Sequence, residues 1–450
     1  MLTAVDLNSS NINALFLKYF WPAFFSVVIK SILIMVEGIY IGQGVGPLGM
    51  ASAGLIMPLQ AIFTAIAIMI GVGGAALMSI EFGKGCIAAG QGVFRQSLMM
   101  VLSSALVLVA VGYIWQETIL VTLGAEGPLV TMVSEYLSVM LIFFVLHALV
   151  VVLTVFVIND TNPLLPMIAM VCGGVASIGL GYLFIFEWSW GIKGAAYASV
   201  IAQIVLLLVL SWHFLSQKGQ LKFKFGVSRY DRVKEILHIG SPMFLLEVAT
   251  IATMVIFNYV LLDQYSEQHL AAYGITMNLG LVLLIIMGAI GQACQPILSY
   301  SHGHGDLGRE RSILSIGIKS SVLLGGLALC FVLLNTEWLV QLYIDDQPII
   351  QALAVDASQL YFLAAVFLGL NLMVTTFFQA IKQPNIATII SLSRGFLCVL
   401  AGLYFLPIFF PEQGIWSLTL AAEFLTCLLS FALLRSYLRK KSHARLEGVA

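Results

Sequence analysis

From Pro22 to Gly85 the chain repeats itself, without a gap, 220 residues further on. Pro22 falls on Pro242, Phe24 on Phe244, Ala51 on Ala271, Gly54 on Gly274, Met57 on Met277, Gly71 on Gly291, Gly83 on Gly303 and Gly85 on Gly305. Identity across the window is only about one in five, but glycine and proline mark backbone geometry, so their coincidence implies one hairpin made twice. The expected architecture is two homologous lobes.

Composition decides the solvent of those lobes. With 60% hydrophobic and 10% charged residues and a mean hydropathy of +1.01, the chain carries far less charge than the roughly 25% of a soluble domain. Apolar stretches near twenty residues, the length that crosses a bilayer as a helix, fall at 15–40, 50–78, 94–115, 133–156, 164–186, 192–215, 237–262, 270–298, 313–335, 357–381, 385–410 and 415–436. The expected fold is an all-α membrane protein of twelve transmembrane helices in two six-helix lobes. The N-lobe takes 1–215, a linker 216–236, the C-lobe 237–436 and a basic tail 437–450.

Six spans per lobe return the chain to the side it started from, so the two repeats are parallel and related by an axis along the membrane normal, a recurrent plan of secondary transporters. Lys84, Arg95, the linker bases Lys218, Lys222, Lys224, Arg229, Arg232 and Lys234, then Arg309, Arg311, Lys382 and the tail bases Arg435, Arg439, Lys440, Lys441 and Arg445 fall on one side. The other side holds Glu117, Glu126, Glu187, Asp263, Glu267, Glu337, Asp345, Asp346 and Glu412, with Lys193 its one base. The positive-inside rule then makes both termini and the linker cytoplasmic. The net charge of −1 averages two opposite faces, and the basic face needs no nucleic-acid partner.

The six cysteines lack CxxC spacing and lie mostly within apolar spans, so they read as small buried hydrophobes, not as a metal or disulfide framework. No basic leader precedes the first apolar run, which is long enough to span, and no cleaved signal peptide is expected. No GxxxxGK[ST] sequence occurs, which leaves no P-loop for nucleotide hydrolysis.

Spans 2 and 8 end in GVGGAALMSIEFGKG (71–85) and GAIGQACQPILSYSHGHGD (288–306), and NDTNPLLPM (159–167) follows span 4. In this order these segments resemble the signatures of the multidrug and toxic compound extrusion (MATE) family, in particular its bacterial branch. The resemblance extends to VEGIYIG (36–42), GAAYASVIAQ (194–203), GSPMFLLE (240–247) and the arginine of SLSRG (391–395). It implies efflux of organic cations and other amphipathic small molecules from the bacterial cytoplasmic membrane in exchange for H⁺ or Na⁺, by a monomer with no cofactor and no enzymatic activity. The glycines identify the family; their physical role is close helix approach and helix termination.

Ionisable side chains in hydrocarbon are functional candidates by default. Here they are Lys30 and Glu37 in span 1, Glu247 in span 7, Arg394 in span 11 and Glu423 in span 12, with His147 in span 4. Ser26, Lys30 and Glu37 share a helix face, and Glu37 stands where the resembling family carries an N-lobe acid. A carboxylate in a dehydrated cavity favours its protonated form and a bound cation reverses that preference, so such a group can exchange a proton for a drug. The alternative is a structural Lys30–Glu37 pair. Glu247 opens a stripe through Thr250, Met254 and Asn258 and is a candidate for cation or substrate binding, with helix-to-helix hydrogen bonding as the alternative. Arg394 matches a family arginine, with Glu423 its candidate partner, and Asp160 fits a tight Asx turn.

The departures matter equally. Counting from Pro163, the positions where many family members carry Asn and Asp for a cation site hold Ser177 and Gly181, and Ser199 replaces a family Thr in span 6. The span 10 acid of some sodium-coupled members is missing, with Asn371 the nearest polar residue. The loss of oxygen ligands favours H⁺ over Na⁺ as the coupling ion. Two other readings stand beside this one. A lipid-linked oligosaccharide flippase of the same superfamily would need more cavity cations than Lys30 and Arg394. An intramembrane enzyme would need a nucleophile and base or a metal cluster, and the nearest approach, His302 and His304, falls in an expected solvated loop.

Overall fold

A computed structural model of the chain describes residues 7, 11–216, 219–222, 230–344, 347–409 and 414–447. Lys218, Lys224, Arg229, Asp345, Asp346 and Glu412, part of the charge pattern above, lie outside the described residues.

The described chain is helical: α1 Ile12–Gly44, α2 Pro47–Gly83, α3 Ile87–Ile114, the short α4 Gln116–Thr122, α5 Pro128–Asn159, α6 Leu164–Tyr182, α7 Gly191–Leu215, α8 Val233–Gln264, α9 Glu267–His304, α10 Leu307–Gln341, α11 Pro348–Phe362, α12 Ala365–Ala380, α13 Pro384–Leu392, α14 Cys398–Phe409 and α15 Leu418–Glu447. π-helical turns at Leu183–Glu187 and Ser393–Leu397 extend α6 and join α13 to α14. Among the described residues eleven helices, counting the extended ones as single spans, are long and apolar enough to cross a bilayer, and α11 with α12, bent by 44° at a short break, make a twelfth if the pair counts as one span. The protein is a multi-pass membrane protein. The span expected at 357–381 thus covers the end of α11, the break and α12, and α1, α2, α5, α8, α9 and α10 overrun their apolar stretches at both ends.

Two of those caps carry the repeat into three dimensions. At the end of α2, Cys86 N donates to Glu81 O at 2.9 Å and Gly85 N to Phe82 O at 2.9 Å, with Gly85 at φ +78°. At the end of α9, Asp306 N donates to Ser301 O at 3.0 Å and Gly305 N to His302 O at 3.1 Å, with Gly305 at φ +78°. Both are Schellman caps, which demand a left-handed residue that glycine supplies without strain. His302 and His304 therefore belong to the last turn of α9 rather than to a loop. The α2 and α9 ends also touch: a Cβ on Gly83 would strike Tyr300 O, and one on Gly303 would strike Ile80 O. Ile80 and Tyr300 are themselves 220 residues apart, so the contact is reciprocal.

The chain forms two compact units, Met1–Phe244 with Ser299–Asp306, and Leu245–Leu298 with Leu307–Ala450. In the first, α2 packs on α3 and α5, α5 on α7, and α7 on α6, which carries α1. Phe63, Phe94, Phe144, Phe156 and Leu77 fill its core. In the second, α10 lies on α11 and α12, and α15 on α12 and α14. Leu106, Val175, Leu208 and Leu323 are among the many large apolar side chains left exposed, as a surface solvated by lipid requires.

Candidate functional site

In the first unit, α1, α6 and α7 converge on Glu37. Its carboxylate Oε1 accepts a hydrogen bond from Ser199 Oγ at 2.9 Å, and Ser199 Oγ lies 3.1 Å from Ala195 O one turn back. Leu33, Tyr40, Ser177, Gly181 and Ile185 are among the walls of a cavity of about 10 Å³, room for about one water molecule. Four residues singled out in the sequence, Glu37, Ser177, Gly181 and Ser199, thus share one cavity. Gly181 lets α1 close on it: a Cβ there would lie 3.1 Å from Tyr40 Cδ2. Tyr136 on α5 is buried within electrostatic reach of Glu37.

A hydroxyl between a carboxylate and a carbonyl serves both charge states of the acid. When Glu37 is ionised, Ser199 donates to it. When Glu37 is protonated, it donates to Ser199 Oγ, and the serine proton turns to Ala195 O. The hydroxyl can therefore partner Glu37 in either charge state by rotation of its own proton.

The structure does not pair Lys30 with Glu37. Seven residues along α1 separate them by roughly 10 Å, and Glu37 has no cation within ion-pair distance among the described residues. Lys30 lies within electrostatic reach of His147 on α5, which stacks on Phe143 at 5.3 Å beside Gln203. His147 Nδ1 is buried with no hydrogen-bond partner among the described residues. Gln203 follows Ser199 by one turn of α7, so one helix face carries both polar levels. Gln203 and Tyr136 escaped the sequence reading because neither is charged and many such residues line any span. Ser26 closes on its own helix, donating to Pro22 O at 2.7 Å.

The second unit has a different centre. Arg394 Nε and Nη2 each stand 3.0 Å from Glu423 Oε1, and Asn371 Nδ2 donates to Glu423 Oε2 at 2.7 Å. Ser430 Oγ donates to Asn371 Oδ1 at 2.9 Å. All four residues are buried, and Arg394 Nη1 has no hydrogen-bond partner among the described residues. Arg394 sits in the π-helical turn Ser393–Leu397, where the Gly395 carbonyl accepts from Thr253 Oγ1 of α8 at 2.7 Å. Such single π turns recur at functional sites.

Glu247 and Asn258 are half-buried on α8, with Thr250 and Met254 exposed between them. At the position equivalent to Glu37, Phe257 stacks on Tyr273 at 4.3 Å, so the units do not share an acid by symmetry.

Asp160 departs from expectation. Its carboxylate serves the linker rather than its own turn, accepting from His213 Nε2 at 2.8 Å, Gln220 N at 2.9 Å and Leu221 N at 3.0 Å. Asn162 Nδ2 lies 3.3 Å from the other imidazole nitrogen. The sequence placed Asp160 in a turn but gave no sign that the linker would fold back under it. Among the described residues no His, Cys, Asp and Glu cluster is arranged to hold a metal.

A family model for MatE matches residues 22–183 and 242–405. The multidrug export protein MepA of Staphylococcus saprophyticus is 25% identical over 438 residues, 94% of this chain and 95% of that protein. Its namesake in Staphylococcus aureus strain MRSA252 is 25% identical over 400 residues, 88% of each chain. Among solved structures, an outward-facing multidrug resistance MATE family transporter of the MOP superfamily superposes with a TM-score of 0.91 at 18% identity, over 97% of this chain and 98% of its own. A MOP superfamily transporter from Pyrococcus furiosus, described as having a binding pocket of reversed polarity, gives 0.89 at 19% identity over 96% and 97%.

Proposed function

The chain belongs to the MatE family of membrane transporters, and from that premise we propose that it is a multidrug efflux antiporter that exchanges amphipathic or cationic small molecules for protons by alternating access. The observation that carries this reading is the Glu37–Ser199 pair in the first unit. It joins an ionisable carboxylate to a hydroxyl that accommodates both its charge states in a cavity too small for anything larger than water. A site of this kind takes up a proton more readily than a hydrated metal ion. Na⁺ is a hard cation that needs several oxygen ligands, and this cavity offers the side-chain oxygens of Glu37, Ser177, Ser199 and Tyr40 among otherwise apolar walls. Efflux by relatives named multidrug export proteins supports the substrate class.

Both termini are cytoplasmic in this reading, which rests on the distribution of basic residues. Lys193, the one base on the acidic side, is tied to Glu135 at 3.1 Å and does not disturb that balance. The flippase reading loses ground because the buried Arg394 already spends its charge on Glu423.

The test is purified protein in liposomes loaded with a cationic dye. Dye movement should follow an imposed pH gradient in sodium-free buffer, and Glu37→Gln should abolish it at unchanged protein level. Movement only under a sodium gradient would overturn the coupling ion; proton-driven movement at wild-type rate in Glu37→Gln would remove Glu37 from the role.

A further inference from the structure

A cavity with a coherent chemistry of its own is lined by none of the residues of the two polar centres. Where the N-terminal end of α10 meets the C-terminal half of α15, Arg311, Arg435 and Arg439 surround a cavity of about 410 Å³ whose remaining walls are Phe431, Leu434 and Leu438. We propose that this cavity binds the headgroup of an anionic phospholipid, with the phosphate held by the three guanidinia and an acyl chain lying along Phe431 and Leu434.

Depth is the first argument. From Leu418, where α15 begins, Arg435 is roughly 26 Å along the helix at 1.5 Å per residue, close to the roughly 30 Å thickness of the hydrocarbon layer. The arginines therefore stand at the headgroup level and Phe431 one turn inside it.

Charge is the second. Other bases near helix ends have carboxylate partners: Lys441 with Glu310 at 3.1 Å, Lys84 with Glu81 at 2.9 Å and Arg232 with Glu235 at 2.9 Å. Arg311, Arg435 and Arg439 are exposed and have none among the described residues. Arg435 and Arg439 are one turn apart on α15, a spacing at which like charges destabilise a helix. Lys441 is paired with Glu310, the acid nearest in sequence to Arg311, and among the described residues no carboxylate forms an ion pair with the three arginines. An anion relieves that repulsion, and guanidinium matches phosphate in a bidentate fork.

The mixed lining identifies the source of the anion. A free phosphate has no use for Phe431, Leu434 and Leu438, whereas a phospholipid presents a phosphate and a hydrocarbon chain in this order. Basic pockets between membrane helices on the cytoplasmic side bind acidic lipid headgroups in this manner. The proposal depends on the membrane placement of α10 and α15, not on the transport reading.

The experiment is native mass spectrometry of the full-length protein in detergent, titrated with phosphatidylglycerol, phosphatidylcholine or inorganic phosphate. The wild type should retain phosphatidylglycerol in preference to phosphatidylcholine. Arg311→Gln with Arg435→Gln and Arg439→Gln should lower that retention about tenfold or more, at roughly 1 kcal/mol per basic residue near a membrane surface. Lys440→Gln, which removes one positive charge outside the cavity lining, should leave it unchanged, whereas each single arginine variant should lower it. Equal retention of the two lipids by the wild type, or unchanged retention by the triple variant, would refute the site. Displacement of the lipid by millimolar phosphate would assign a free-anion site instead. Should the triple variant misfold, the three single variants replace it: a graded loss across them supports the site, and ungraded retention refutes it. Because only binding is read, failure here leaves the transport reading untouched.

Discussion

Ser199 Oγ stands 2.9 Å from the Glu37 carboxylate, although 162 residues separate the two in sequence. The helix pairs α1–α6 and α6–α7 bring them together, and the interaction makes a test independent of Glu37 itself. Ser199→Thr keeps the hydroxyl and should transport within a few-fold of wild type. Ser199→Ala leaves the ionised carboxylate without its donor, a loss of about 1.5–3 kcal/mol for a hydrogen bond to a charged group, and should slow proton-driven dye efflux about tenfold or more. Equal rates for Ala and Thr would show that the hydroxyl is only a packing group.

The Arg394–Glu423 pair should govern stability more than coupling. Removing one member strands a buried charge, which costs about 3–5 kcal/mol, while replacing both by apolar residues is often neutral. Thermal melting of the detergent-solubilised protein should therefore show large losses for Arg394→Met and for Glu423→Met and recovery in the double variant. A double variant that melts normally but no longer transports would instead assign the pair to the transport cycle.

Glu247→Gln should weaken efflux of cationic dyes more than of neutral substrates, because the carboxylate lies half-buried on a helix face whose neighbours Thr250 and Met254 are open. An equal loss for both substrate classes at normal protein level would mark Glu247 as a structural group.

Asp160→Asn should release the segment that follows α7. The carboxylate accepts the Gln220 and Leu221 amides together with His213, and an amide oxygen leaves at least one of those three donors unmet. Hydrogen exchange at the 220 and 221 amides is expected to rise about tenfold or more, at roughly 1–3 kcal/mol per stranded buried donor. Unchanged protection would mean that packing of the buried Leu221 holds the segment by itself.

The sequence displays the fold because its signals are local and additive: twenty-residue apolar runs, and glycine caps such as Gly85 and Gly305 that recur at a fixed interval. It also displays the acids, because charge inside a span is rare. Partnership is harder to read. Lys30 and Glu37 lie on one face of α1, yet Glu37 takes its partner from α7, since rise along the helix, not angular register, decides whether two side chains touch. Arg394 and Glu423 can be matched because a buried charge demands its opposite. The partners of Asp160 stay hidden because a turn residue satisfies local rules whether or not a distant segment folds onto it.

Gly181 tests the choice of ion most directly. The resembling family carries an acid at this position, so Gly181→Asp should in principle rebuild a cation site beside Glu37. The structure shows why the single change is insufficient: a Cβ at 181 lies 3.1 Å from Tyr40 Cδ2, and that ring is braced edge-on against Phe186 at 5.5 Å. Overpacking of this kind costs about 1–3 kcal/mol, and the cavity of about 10 Å³ is too small to take up a carboxylate. Gly181→Asp alone is expected to melt earlier than wild type, equally in sodium and in choline buffer. Combined with Tyr40→Ala, which clears the ring, it places two carboxylates side by side, an arrangement that a shared cation stabilises. The double variant should then melt later in sodium than in choline, while the wild type melts at the same temperature in both. Sodium stabilisation of the wild type itself would show that the present oxygen set already holds the ion, and the proton reading would fall with it.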